Sequence, residues 1–213
     1  MKLSNFLLSI VAAFALGAAV SASLRVVAAK PTAVISVPSD NGRAGGGFSV
    51  EIPKNLTQRQ VQLLALAYEI AKYDGHKHPQ LLQGIILQES NAGEHSKYKV
   101  AGQEFGLKTN ERYYGVAQIK LSAAKDVLRH YPEMKTEFKL QTDTDEEIIA
   151  NLILNDKYNL KTASKYLMIL KKHYRIPESQ LASAYNQGPG GVNNEKAHRY
   201  STNVARRIAS LGT

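Results

Sequence analysis

From residue 57 onward, apolar positions recur at helical spacing, and polar breaks divide them into helices. Thr57 is a good N-cap for a first helix. In it Val61, Leu64, Ala65 and Tyr68 form one stripe, and Leu63, Leu66, Ala67 and Ile70 form a second, so most of its girth is buried. Gly75 stands where that helix should stop. The spacing predicts a second helix from Pro79 to Asn91 and a third capped by Ser122 and running through His130. After a short segment around Glu133–Leu140, the acid-rich run Thr144-Asp-Glu-Glu147 opens a further helical stretch. Ile148, Ile149, Leu152 and Ile153 mark its face, then Leu160, Ala163, Tyr166, Leu167 and Leu170, with a break near 155–159. Pro177 opens a helix over Glu178–Asn186, and a last helix is expected over Ser201–Ser210. No alternation of apolar and polar residues lasts long enough to build a sheet. The expected fold is therefore all-α.

Candidate chemistry enters at the second helix. Counting back from Glu89 by three, four and seven gives Ile86, Ile85 and Leu82, so the carboxyl lies on the apolar stripe of its own helix. Burial and the negative end of the helix dipole both favour the protonated form, which a general acid needs near neutral pH. A partner for a buried cation would sit on the same stripe, so other stretches must decide. In Tyr114-Gly-Val-Ala-Gln-Ile-Lys120, Gly115 would let backbone approach a ligand closely, and Gln118 offers an amide for sugar hydroxyls. In Ala184-Tyr-Asn-Gln-Gly-Pro189, a Gly-Pro helix stop fixes where Tyr185 and Asn186 point. Spacing alone makes Tyr200 a core residue.

Composition changes the setting of this chemistry. The chain of 213 residues begins with a basic start, an apolar run from Phe6 to Val20 and an exit of small residues. That pattern is a signal peptide over residues 1–23, cut near Ala22 or Ser23 and too short to serve well as a membrane anchor. Residues 24–54, rich in Ala, Val, Pro, Ser and Gly, read as a flexible arm or linker, leaving 55–213 as the folded domain. An exported, periplasmic protein is expected. Without cysteine there is no disulfide framework and no thiolate metal site, and the six histidines form no ligand-spaced cluster, so no metal or cofactor is expected. A net charge of +9 suits an anionic partner. The exported setting and the lack of a basic–aromatic binding pattern argue against nucleic acid and point to the anionic polymers of a cell envelope; a solvated basic surface with no specific partner is the other reading.

Three segments in order carry a resemblance: Ile86-Leu-Gln-Glu-Ser90, Tyr114-Gly-Val-Ala-Gln-Ile119 and Leu181-Ala-Ser-Ala-Tyr-Asn-Gln-Gly-Pro-Gly-Gly-Val192. Together they resemble the catalytic domain of the soluble lytic transglycosylases, which share a lysozyme-like α fold with the goose-type lysozymes. The likeness runs from about Pro79 to Val204 and takes in Tyr158-Asn-Leu160, Tyr166-Leu167 and Tyr200 followed by Val204. The loop 91–113 is longer than the family's.

The resemblance implies cleavage of the β-1,4 bond between N-acetylmuramic acid and N-acetylglucosamine in peptidoglycan. Glu89 would be the catalytic acid, and Ser90, Gly115, Gln118, Tyr185, Asn186 and Tyr200 would bind substrate. The C6 hydroxyl of the muramic acid would attack to give a 1,6-anhydro product. Partners would be glycan strands and an envelope-spanning assembly, with the chain acting as a monomer. Two alternatives stand beside this reading. One is a lysozyme-type hydrolase, for which Glu94 or Glu104 would be the first candidates for a second acid. The other is a non-catalytic wall-binding or assembly protein that keeps the cleft.

Overall fold

The computed structural model describes residues 56–94 and 113–211. The expected signal peptide, the whole of the arm, Glu104 and most of the loop 91–113 lie outside the described residues. Helix α1, Gln58–Tyr73, starts at a capping box. Thr57 Oγ1 accepts from the Gln60 amide while the Gln60 side chain accepts from the Thr57 amide, satisfying two donors that the first turn would otherwise leave open. Helix α2, Gln80–Ser90, buries Leu82, Ile85, Ile86 and Leu87, each contributing roughly 1.5–3 kcal/mol of hydrophobic stabilisation. The strands β1, Tyr113–Tyr114, and β2, Ile119–Lys120, form a two-residue antiparallel hairpin where the pattern predicted no sheet. Each strand is too short for alternation to register.

Helix α3, Leu121–His130, begins directly after β2, so Lys120 occupies the N-cap and the expected cap Ser122 lies inside the first turn. A short α4, Glu133–Glu137, leads to α5, Asp145–Leu154, whose N-cap Thr144 accepts from the Glu147 amide. The break expected near 155–159 is a single residue. Asn155 ends α5 and caps α6, Asp156–Lys172, through a bond from the Tyr158 amide. Because α6 is flanked by α1, α3, α5 and α7, it is buried on several sides, with Tyr158, Leu160, Ala163, Ile169 and Leu170 wholly enclosed. A 3₁₀ turn at Glu178–Gln180 runs into α7, Leu181–Gln187.

The last helix, α8, covers Glu195–Ala209 and starts six residues before the expected Ser201. Its Asn194 cap accepts from the Ala197 amide, and its buried face is the sparse stripe Ala197, Tyr200 and Val204. The charged residues Lys196 and Arg199 interrupt that stripe and hide its beginning in the sequence. Helix α8 packs on α2 and α7. A Cβ on Gly84 of α2 would stand 2.6 Å from Ile208 Cγ1 and 3.0 Å from Val204 Cγ1, so this glycine lets the two helices meet. The result is an all-α domain of lysozyme-like type.

Candidate active site

Glu89 is the penultimate residue of α2, and the backbone just beyond it is unusual. Asn91, Ala92 and Gly93 all have positive φ, at 51°, 48° and 81°. For alanine that conformation costs roughly 1–2 kcal/mol, so the surroundings must enforce it. They do so with several bonds. The Ala92 amide donates to the Ile86 carbonyl and Asn91 to Leu87, while Gln60 Nε2 holds the Asn91 carbonyl at 2.9 Å. The chain therefore turns sharply away just beyond Glu89 and leaves its side chain at the end of the helix.

Tyr200 of α8 donates from its hydroxyl to Glu89 Oε1 at 2.5 Å. Burial raises the Glu89 pKa above the ordinary glutamate value, and the Tyr200 bond opposes it without cancelling it. The acid form therefore persists to higher pH than in a free glutamate. With Oε1 accepting from Tyr200, the acid proton belongs on Oε2, so the tyrosine also orients the carboxyl. The phenol itself stays protonated, since burial first and the nearby Glu89 second push its pKa well above 10.0.

The hairpin forms the next part of the site. Gly115 has φ 70°, and a Cβ there would lie 2.0 Å from Asn159 Nδ2 and 2.1 Å from the Leu152 carbonyl. The groups that approach this glycine so closely are the Asn159 amide and the Leu152 carbonyl. Asn159, fully buried on α6, accepts from the Ala117 amide at 2.8 Å and donates to the carbonyls of Tyr114 and Leu152. The turn is thereby clamped to α5 and α6. Gln118 takes φ 50° and donates from Nε2 back to the Gly115 carbonyl at 2.8 Å. Tyr185 donates to the Ala117 carbonyl at 2.7 Å, joining α7 to the same turn.

Ser90 is also expected against substrate, yet it is only 1% exposed. Its hydroxyl donates to the Val116 carbonyl at 2.7 Å and accepts from the Gly93 amide at 3.0 Å. Such a hydroxyl, with its donor and acceptor capacity occupied, ties the end of α2 to the hairpin. Tyr200 likewise touches Glu89 rather than standing free in the cleft. Gln118, Tyr185 and Asn186 do come together, on the wall of an open cleft of about 380 Å³. Asp126, Arg129 and Tyr174 line it too, and no motif marks them. They are polar or half-exposed positions on α3 and beyond α6, and the apolar periodicity that reveals helices is blind to them. Glu94 lies at the start of the loop, accepting from Thr57 Oγ1 at 3.3 Å. Among the described residues no group of three or more His, Cys, Asp or Glu is placed to hold a metal ion.

No curated protein matches the chain. The family described as the transglycosylase SLT domain matches residues 67–208, a span that includes Glu89, the hairpin, α7 and Tyr200. Across two thirds of its length, and with Glu89, the clamped hairpin and the residues of the neighbouring cleft all inside the match, the chain belongs to the transglycosylase SLT domain family.

Proposed function

We propose that this protein is an exported lytic transglycosylase that cleaves the muramic acid–glucosamine bond of peptidoglycan and leaves a 1,6-anhydro end. The observation that carries the reading is Glu89, a carboxyl whose pKa burial raises and which Tyr200 holds by a hydrogen bond to Oε1. Its Oε2 proton goes to the glycosidic oxygen as the bond to the anomeric carbon breaks. The resulting carboxylate then takes the proton of the C6 hydroxyl as that oxygen closes on the same carbon. Bonds and protons balance, and the acid is restored. Gln118 and Asn186 line the cleft and supply amides for sugar hydroxyls and the N-acetyl group.

Hydrolysis would ask for a second carboxylate to activate water. Asp126 lines the cleft but is already paired with Arg129, and Glu94 is engaged by Thr57. Intramolecular attack needs no such group, and a well-oriented tethered hydroxyl can reach effective molarities of about 10⁵ M or more. Glu89→Gln keeps the size of the side chain and removes the proton. It is expected to fold normally and to lose at least the roughly 10²–10⁴-fold that general acid–base catalysis supplies. Release of soluble fragments from purified peptidoglycan checks this; near wild-type release by the variant would remove Glu89 from the mechanism.

A further inference from the structure

The cleft carries charge that bond cleavage does not use. Ser122, Ala123, Asp126 and Arg129 of α3 line it, and their spacing puts them on one face of the helix. At about 1.5 Å per residue, this stripe extends roughly 10 Å from Ser122 to Arg129. Lys120 stands at the near end, its Nζ 5.1 Å from the Tyr113 ring centroid. At the far end Arg129 Nη2 donates to Asp126 Oδ1, and the two partners are unequally placed. The Asp126 side chain is 14% exposed and that of Arg129 73%. The acid is thus set into the wall and the guanidinium projects from it. Among the described residues, the other N–H donors of Arg129 have no acceptor.

A neutral sugar gives such a cation nothing ionic to meet. The glycan of peptidoglycan does carry anions beside its sugars, because the lactyl group of muramic acid bears a short peptide with free carboxylates. We propose that Arg129, oriented by Asp126, binds a carboxylate of that stem peptide, with Lys120 adding positive potential from the opposite end of the stripe. The enzyme then prefers glycan strands whose stem peptides keep their free carboxylates over strands in which those carboxylates are amidated. A guanidinium with free parallel donors matches a carboxylate in shape as well as charge. This inference rests on the peptidoglycan reading above and adds which strands are preferred.

The test uses the Glu89→Gln protein, expected to hold strands without cutting them, and two ligands: glycan fragments bearing stem peptides with free carboxylates and the same fragments with those carboxylates converted to amides. At low salt the fragments with free carboxylates should bind about two- to fivefold more tightly, the range expected for a solvent-exposed ion pair. The preference should shrink as ionic strength rises. Adding Arg129→Gln should bring the ratio close to one, and Arg129→Lys should restore part of it. Equal affinity for both ligands, or a preference that survives Lys120→Gln and Arg129→Gln together, would overturn the proposal. Turnover of the same fragments by the wild-type protein separates the two layers. Cleavage of both without preference sinks this inference alone, whereas neither binding nor cleavage of either ligand removes the underlying reading and this one with it.

Discussion

Glu89 and Tyr200 are 111 residues apart in sequence and one hydrogen bond apart in space. Their energetics pull in opposite directions: burial holds the proton on Glu89, and the phenol stabilises its conjugate base. Activity should therefore decline as pH rises through the raised Glu89 value, because the acid form is then lost. Tyr200→Phe removes the hydrogen bond that lowers this value. The alkaline limb of its pH–rate profile should move to higher pH, while the maximal rate falls about 10- to 100-fold through lost orientation of the carboxyl. A limb that stays in place would mean that Tyr200 does not set the acidity of Glu89. Glu89→Gln should melt no lower than wild type. As pH rises from the ordinary glutamate value through the raised one it should melt progressively higher than wild type, since the folded wild type alone must retain that proton or bury the charge. Of this pair, only Glu89 is legible in the sequence. Its apolar stripe announces a buried acid, whereas the Tyr200 spacing announces only burial, and no local pattern can name its partner.

At the scale of elements, the site depends on α2 meeting α8 and on the hairpin being clamped to α6. Gly84 sets the first contact. Gly84→Val would push branched carbons into Val204 and Ile208, an overpacking that typically costs about 1–3 kcal/mol. The helix that must move is the one carrying Tyr200, so activity should fall by more than the loss of folded protein explains. Thermal melting and rate measured on the same preparation check this, and a stable variant with full activity would contradict it. Helix order and most boundaries are readable because Thr57, Thr144 and Pro177 punctuate strong apolar stripes. The start of α8 is not, because its stripe of Ala197 and Tyr200 is thin and flanked by cations. Gly115 stands out in the sequence as special, but its partner does not. A glycine signals close approach without saying what approaches, and here Asn159 and the Leu152 carbonyl do.

At the scale of the whole molecule, stability should depend on acid in two stages. His76 is buried against Ser164, and burial lowers its pKa below the ordinary 6.5. The unfolded chain binds that proton more readily, so stability is lost as pH falls from about 6.5 toward the folded value. Asp74 and Glu147 follow at lower pH. Burial would raise both pKa values, but Ser164, Lys165 and Lys161 around Asp74, and the Gln141, Thr142 and Asp143 amides around Glu147, outweigh it. Their contribution is present above the ordinary carboxylate value of about 4 and is lost as pH falls through the lower folded values. The Asp74 side chain is 1% exposed and binds two lysines of α6 to the end of α1. Asp74→Asn should cost about 3–5 kcal/mol by leaving those cations uncompensated; an unchanged melting temperature would show the cluster to be incidental. The function of the molecule as a whole is read most directly in its product. Purified protein should be incubated with peptidoglycan and the soluble muropeptides weighed by mass spectrometry. With Glu89 the one oriented acid among the described residues, and Asp126 and Glu94 already engaged, the expected product carries 1,6-anhydro ends, lighter by one water than hydrolysis products, with no reducing terminus. Muropeptides with reducing ends would contradict it and make the protein a hydrolase with a second acid still to be found.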